Sequence, residues 1–272
     1  MKICDKYKNP KTDIHFIGIH ATFRWKHRLI EGFTFKNLKR FNIEGFLNVI
    51  DDINTILKVN SKNPKWDRLT LPNLEETQNW MLEEEFVTQV IADVFEKQMF
   101  IIARNHNIEN LFDLFFSNKK KIYLSYPIIT SIKNSNPELL DIIQNEILKQ
   151  LEDLFVVFNP LTIKDMSLTN SMNIELPDLI SKITNKTKDL IKTRTVERDF
   201  RFIDQSDAIV VLYQTDKLSI GVISEIIYAH RNQKPVYMLY DGSKSPFLEN
   251  YTTFLSNNFD DLLNSLKEFS LE

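Results

Sequence analysis

The sequence predicts an α/β protein: a doubly wound, five-stranded parallel sheet in the C-terminal half, preceded by a smaller α/β domain. Three observations lead there. Residues 195–240, TVERDFRFIDQSDAIVVLYQTDKLSIGVISEIIYAHRNQKPVYMLY, read as helix, apolar strand, loop, helix, apolar strand. The two strands, 207–213 and 235–240, are short apolar runs, and a turn signal at 232–235 ends the helix between them. Such a crossover makes its strands parallel. Finally, strand-length apolar runs at 121–126 and 155–158 alternate with helical spacing.

At 272 residues the chain exceeds the usual single domain of about 100–200 residues, and its 43% hydrophobic content is ample for a core. The division predicted is 1–118 and 119–272. A net charge of -3 steers neither nucleic acid nor an anionic membrane toward the chain, and the longest basic block, Lys119-Lys120-Lys121, merely precedes a strand. Cys4 is the single cysteine, which excludes an internal disulfide and a cysteine metal cluster. The start, MKICDKYKNPKTD, lacks a signal peptide's apolar core, and no apolar run reaches the roughly 20 residues of a membrane helix. A soluble, cytoplasmic protein is expected.

In the N-terminal domain the pattern predicts a strand at 13–21, a helix at 25–41 and a strand at 46–50 closed by Asp51 and Asp52. A polar loop with Pro64 and Pro72 covers 60–73, followed by a helix at 74–97, a strand at 99–103 and a helix at 108–116. Asp51 and Asp52 fit either a metal-binding pair or a solvated strand end. His15, His20, His27 and His106 lack ligand spacing such as H-E-x-x-H and read as structural. The alternation and the Asp-Asp pair resemble nucleoside monophosphate kinases and other P-loop proteins, in degenerate form. No G-x-x-x-x-G-K-[ST] occurs, so the usual triphosphate cradle is missing.

The C-terminal domain opens with the strand at 121–126, which carries Tyr123, Ser125 and Tyr126 toward the sheet's edge. A helix at 137–153 shows a stripe of Leu140, Ile143, Ile147, Leu151 and Leu154, and Pro160 breaks the next strand, 155–158. The polar stretch 161–194, with a helix at 176–188, is expected to form a lid. A helix at 196–205 brings Asp199 within a turn of Arg198 and Arg201. After the crossover come a turn at 241–243, a strand at 252–255 and a helix at 259–269. Five strands interleaved with helices make a flavodoxin-like layer.

Ligands of open parallel sheets bind beyond the carboxyl ends of the strands, which selects 214–221 and 241–245. On the helix between them, Val222, Ile223, Ile226, Ile227 and His230 form the expected packing face. Glu225 lies off that face, with only Gly221 and Ala229 one turn away, so its carboxylate is approachable. An ordinary solvated helix glutamate has the same spacing.

Tyr123 in KKIYLSYP, Asp199 in ERDFRFIDQSD, Ser219 in DKLSIGVISE and Glu225 in SEIIYA follow the order, and in part the spacing, of a known family. Residues 119–272 resemble the nucleoside 2-deoxyribosyltransferases, and more closely the related deoxynucleoside 5'-monophosphate N-glycosidases. The resemblance implies N-glycosidic bond hydrolysis or deoxyribosyl transfer, with Glu225 as nucleophile, Tyr123 orienting it and Asp199 contacting the base. It also implies a homo-oligomer acting on a small-molecule nucleoside or nucleotide, with no metal and no cofactor. Ser219 stands where the transferases resemble one another in an aspartate at the sugar 5'-hydroxyl. A serine does not repel phosphate, so a 5'-monophosphate is favoured. Gly221, Ser125 and Tyr126 complete the expected substrate-binding set. Ser125-Tyr126-Pro127-Ile128-Ile129-Thr130-Ser131 replaces the family's glycine-rich loop with bulkier residues, and the N-terminal domain is an addition to the minimal family.

Breaking a nucleoside's N-glycosidic bond develops oxocarbenium character at C1', which an ionised carboxylate can stabilise or capture. A glutamate of ordinary pKa, near 4.3, is ionised at neutral pH and needs orientation rather than activation. Asp199, as the acid for the departing base, would need a pKa raised by burial or by Glu225; otherwise it is a surface partner of the neighbouring arginines. Two other classes share the pattern: a nucleotide sensor without turnover, and an NAD-type glycohydrolase.

Overall fold

The computed structural model describes residues 15–25, 28–64, 66, 71–127, 141–166, 185–215, 217–243 and 245–272. The chain forms two compact units, Met1–Arg104 with Lys164–Lys192, and Asn105–Ile163 with Thr193–Glu272. Among the described residues no helix is long and apolar enough to cross a membrane.

The first unit holds two small sheets. Strands β1 (Thr22–Trp25) and β2 (Arg28–Glu31) form an antiparallel hairpin, and β3 (Phe46–Ile50) pairs in parallel with β4 (Met99–Ala103). Helices α1 (Phe35–Leu38), α2 (Ile53–Lys62) and α3 (Leu74–Val94) complete it. Asn73 and Glu76 close a reciprocal capping box at the start of α3, satisfying two amide donors there. Ile53, Leu57, Leu74 and Ile191 form a buried cluster, against which Met81 and Met166 pack.

The strand expected at 13–21 and the helix expected at 25–41 are replaced by this hairpin and the one-turn α1. The cause lies on α3. The Glu84 carboxylate accepts from the backbone amides of Ala21 and Thr22 at 2.7 and 3.3 Å, and Trp80 Nε1 donates to the Thr22 carbonyl at 3.1 Å. Phe23, Trp25, Trp66 and Trp80 gather beside it, with ring centroids 5.2–6.3 Å apart. His20 bonds Glu84 at 2.8 Å, and that bond raises its pKa.

Asp51 accepts from Arg104 Nε at 2.6 Å and from the Asp52 amide at 2.8 Å, while Asp52 accepts from the Lys164 amide. These two carboxylates tie chain segments together. Among the described residues no group of three His, Cys, Asp or Glu side chains gathers to hold a metal ion.

The boundary expected at 118 falls instead after Arg104. Helix α4 (Ile108–Phe116) belongs to the second unit because its entry is bonded there: His106 Nε2 donates to the Val157 carbonyl at 2.8 Å, and Asn107 and Asn110 donate to Glu152. The His106 ring, 5.7 Å from Phe158, has its pKa lowered by burial.

Of the stretch expected as a lid, the described residues 164–166 and 185–192 belong to the first unit, where Asp165 accepts from the Ile53 amide at 2.8 Å. Residues 167–184, which include most of the helix expected at 176–188, lie outside the described residues. So do Cys4, His27 and the bulky turn 128–131.

The second unit is built on β5 (Lys121–Ser125), β6 (Val156–Phe158), β7 (Ala208–Tyr213), β8 (Val236–Tyr240) and β9 (Phe254–Ser256), in the order β6-β5-β7-β8-β9. All neighbouring pairs are parallel. Counted within the unit this is second, first, third, fourth, fifth: the flavodoxin-like order.

Right-handed crossovers then assign the helices to faces. The step leftward from β5 to β6 carries a π-helical turn (Ile143–Ile147) and α5 (Leu148–Leu154), which share one face with the final helix α9 (Phe259–Leu271). The rightward steps carry the part of α6 (Asn185–Asp204) from Thr193 onward, α7 (Ile220–Arg231) and α8 (Pro246–Tyr251) over the other. Side chains alternate along a strand. Ile122, Leu124, Val210, Leu212, Tyr237 and Leu239 therefore join Ile147, Leu151, Leu262 and Leu266 in the larger core. Tyr123, Ser125, Ile209 and Val211 point to the opposite side.

Candidate functional site

The polar cluster forms on that opposite side, at the carboxyl end of β5. Tyr123 and Ser125 are two positions apart in a strand and so share a face. Both are fully buried. Glu225, in the second turn of α7, receives them both: Tyr123 Oη donates to Oε1 at 2.9 Å and Ser125 Oγ to Oε2 at 2.5 Å. The glutamate does not lie off the packed face of its helix. Val222, Ile226 and Ala229 are the buried residues of α7, and Glu225 shares their side. Ile223 and Ile227 turn toward α8, and His230 packs edge-on to Tyr251.

The surroundings raise the Glu225 pKa from 4.5 to about 7. Burial is the largest cause, followed by repulsion from Asp199; the two hydroxyl bonds and Arg198 act in the other direction. The expectation of an ordinary, ionised glutamate is thus corrected. Glu225 is nevertheless not sealed off, since it keeps partial solvent exposure. Gly221, one turn nearer the start of α7, leaves open space on the helix there: a Cβ built on it meets nothing within 4 Å.

Asp199 comes from α6. Arg198 donates to its Oδ1 twice, from Nε at 3.0 Å and from Nη2 at 2.8 Å, and both side chains are only 12–14% exposed. Burial raises the Asp199 pKa, with Arg198 opposing. The pair is not a surface salt bridge, and its partner is Arg198 rather than Arg201. The phenol of Tyr123 is pushed well above its ordinary pKa, first by burial and then by the charges of Glu225 and Asp199, so it stays a proton donor. Helices α6 and α7 are joined beside the cluster by Phe200 stacked on Tyr228 at 4.2 Å and by Tyr228 Oη donating to Asp204 at 2.9 Å.

Of the residues expected at the site, Tyr123, Asp199 and Glu225 come together with Ser125, and Gly221 borders them. Tyr126 does not join them. It is buried in the core of the other face, its hydroxyl bonded to Asn159 at 2.9 Å. Ser219 occupies the N-cap position of α7 without a side-chain capping bond. Its amide is instead taken up by Tyr213 Oη at 2.7 Å. The bond from Tyr123 was expected from the resemblance, whereas the second donation, by Ser125, was missed, although the i, i+2 spacing of the two in a strand was the signal for it.

The loops after β7 and β8 have a different destination. Thr215, Leu218, Asp241, Ser243 and Ser245 line a cavity of about 680 Å³ with Tyr213, Ile223, Ile227, Met238, Phe247 and Tyr251. This recess lies on the α8 side of α7, and neither Glu225 nor Tyr123 lines it.

No protein-family model matches the chain, and no curated protein matches it. Among solved structures, the crystal structure of a conserved protein from Enterococcus faecalis V583 is similar over 54% of this chain and 87% of that chain, at 19% identity and a TM-score of 0.27.

Proposed function

We infer that the second unit cleaves or transfers the N-glycosidic bond of a nucleoside or its 5'-monophosphate, with Glu225 attacking C1'. The observation that carries this reading is the double grip of Tyr123 and Ser125 on Glu225 at the carboxyl end of β5. Two O–H donors, one on each oxygen, hold the carboxylate in one orientation and favour its ionised form. A nucleophile that must meet one carbon along one line benefits from that constraint. Asp199 supplies a second carboxyl whose charge is felt at Glu225, a pairing suited to a transition state in which positive charge grows on the sugar. The open space at Gly221 lets a ring approach.

In this mechanism C1' bonds to a Glu225 oxygen as the C1'–N bond breaks, and the base departs with the bonding pair. Water, or a second base, then attacks C1' and releases the carboxylate. The phenol of Tyr123 stays bonded to the other oxygen throughout.

Incubation with a panel of ribo- and deoxynucleosides, their 5'-monophosphates and NAD, with free base followed by chromatography, tests the reading. Base release is expected, and Glu225→Ala should reduce it at least about 10³-fold. Release that persists in that variant would overturn the assignment, and tight nucleotide binding without release would favour a sensor.

A further inference from the structure

We propose that the substrate of this site is an N-glycoside whose base carries a fixed positive charge, such as an N-ribosylated pyridinium. The inference rests on Glu225 being the attacking group.

Among the described residues, no group at the site is placed to protonate a leaving base. Among the described residues Asp199 is the only other carboxyl acting on Glu225, and its Oδ1 is occupied by two N–H bonds from Arg198. A guanidinium gripping one carboxylate oxygen stabilises the anion and so opposes the burial that raises the Asp199 pKa. Tyr123 spends its proton on Glu225, as does Ser125. A proton on Glu225 itself is of no use, because the attacking carboxyl must first lose it. A neutral purine or pyrimidine would therefore have to depart as an anion.

A cationic base does not. When its C1'–N bond breaks, the electron pair stays on nitrogen and cancels the charge, so a neutral base leaves without a proton. Water then attacks C1', the C1'–O bond to Glu225 breaks with its pair returning to the carboxylate, and one proton passes to solvent. Base, sugar and proton balance the cationic nucleoside plus water.

Charge complementarity points the same way. With Glu225 ionised, Asp199, Arg198 and Glu225 together carry one net negative charge, which a cationic base complements. A positive charge arriving beside Glu225 also favours its ionised form, so binding itself prepares the nucleophile.

The full-length protein would be given nicotinamide riboside, and in parallel adenosine, guanosine, cytidine, uridine and their 2'-deoxy forms, from pH 6 to 9, with free base measured by chromatography. The expected result is a kcat/KM for nicotinamide riboside more than tenfold above every neutral nucleoside. The rate should also rise to a plateau with no falling limb at high pH. Neutral nucleosides cleaved within tenfold, or a falling basic limb on the pyridinium substrate, would overturn the proposal. If Glu225→Gln abolishes that neutral cleavage, the glycosidase reading survives without it. Absence of free base from every compound would overturn both.

Discussion

Tyr123 and Glu225, 102 positions apart in the chain, meet at 2.9 Å with the phenol as donor and the carboxylate as acceptor. The contact joins the first strand of the second unit's sheet to the helix of its third crossover step. It also gives the most direct mutational test. In Tyr123→Phe the ring still fills its buried place while Glu225 loses one of two hydroxyl donors. Its pKa should move above about 7, since that bond lowers it. The acid limb of the kcat/KM profile should shift to higher pH, with a loss of about 10–100-fold at pH 7. An unmoved limb would show that the phenol does not act through the carboxylate.

Stability should carry the same signature. Below pH 4.5 Glu225 is protonated whether the chain is folded or not. Between 4.5 and about 7 the unfolded chain releases a proton that the folded chain keeps. This residue's contribution therefore falls as pH rises through that window and stays low above it. Glu225→Gln removes the penalty. Its Tm relative to wild type should climb from pH 4.5 to 7, with a ceiling of roughly 3 kcal/mol at about 1.4 kcal/mol per pH unit. Thermal melts of both proteins across that range measure it.

Arg198→Met tests the second carboxyl. Removing the guanidinium leaves Asp199 largely buried without its partner, at a cost of about 2–4 kcal/mol in denaturant titration. The Asp199 pKa should rise further, because Arg198 is what opposes its burial. With an acid restored to the site, cleavage of neutral nucleosides should gain on cleavage of cationic ones.

Gly221 separates access from folding. A Cβ meets nothing there, so Gly221→Ala should leave the melting temperature unchanged or raise stability by up to about 1 kcal/mol. Gly221→Leu should fold equally well but narrow the approach to Glu225, raising KM more than it lowers kcat. Full activity in the leucine variant would place the substrate's route elsewhere.

The parallel sheet was legible because its strands are buried on both faces, and a run such as Ala208–Tyr213 has no helical alternative at that length. The hairpin at Thr22–Glu31 was not. Trp25, Leu29, Ile30 and Phe33 fit helical spacing, and what selects strands is the Glu84 carboxylate and the Trp80 indole, about 60 residues later. The same limit hid the orientation of Glu225. A polar residue beside an apolar stripe reads as solvent-facing, and only partners on a distant strand turn it inward. Its raised pKa follows from that burial and has no local trace. Ser219 shows the converse: a good N-cap residue whose amide was claimed by Tyr213, six positions earlier.

The gathering of Trp25, Trp66 and Trp80 around Phe23 has a practical consequence. These are the chain's three tryptophans, and the second unit has none. Indole fluorescence therefore watches the first unit alone, whereas far-ultraviolet circular dichroism sums over both. Comparing the two signals during a single melt distinguishes concerted loss of structure from stepwise loss, with no label introduced.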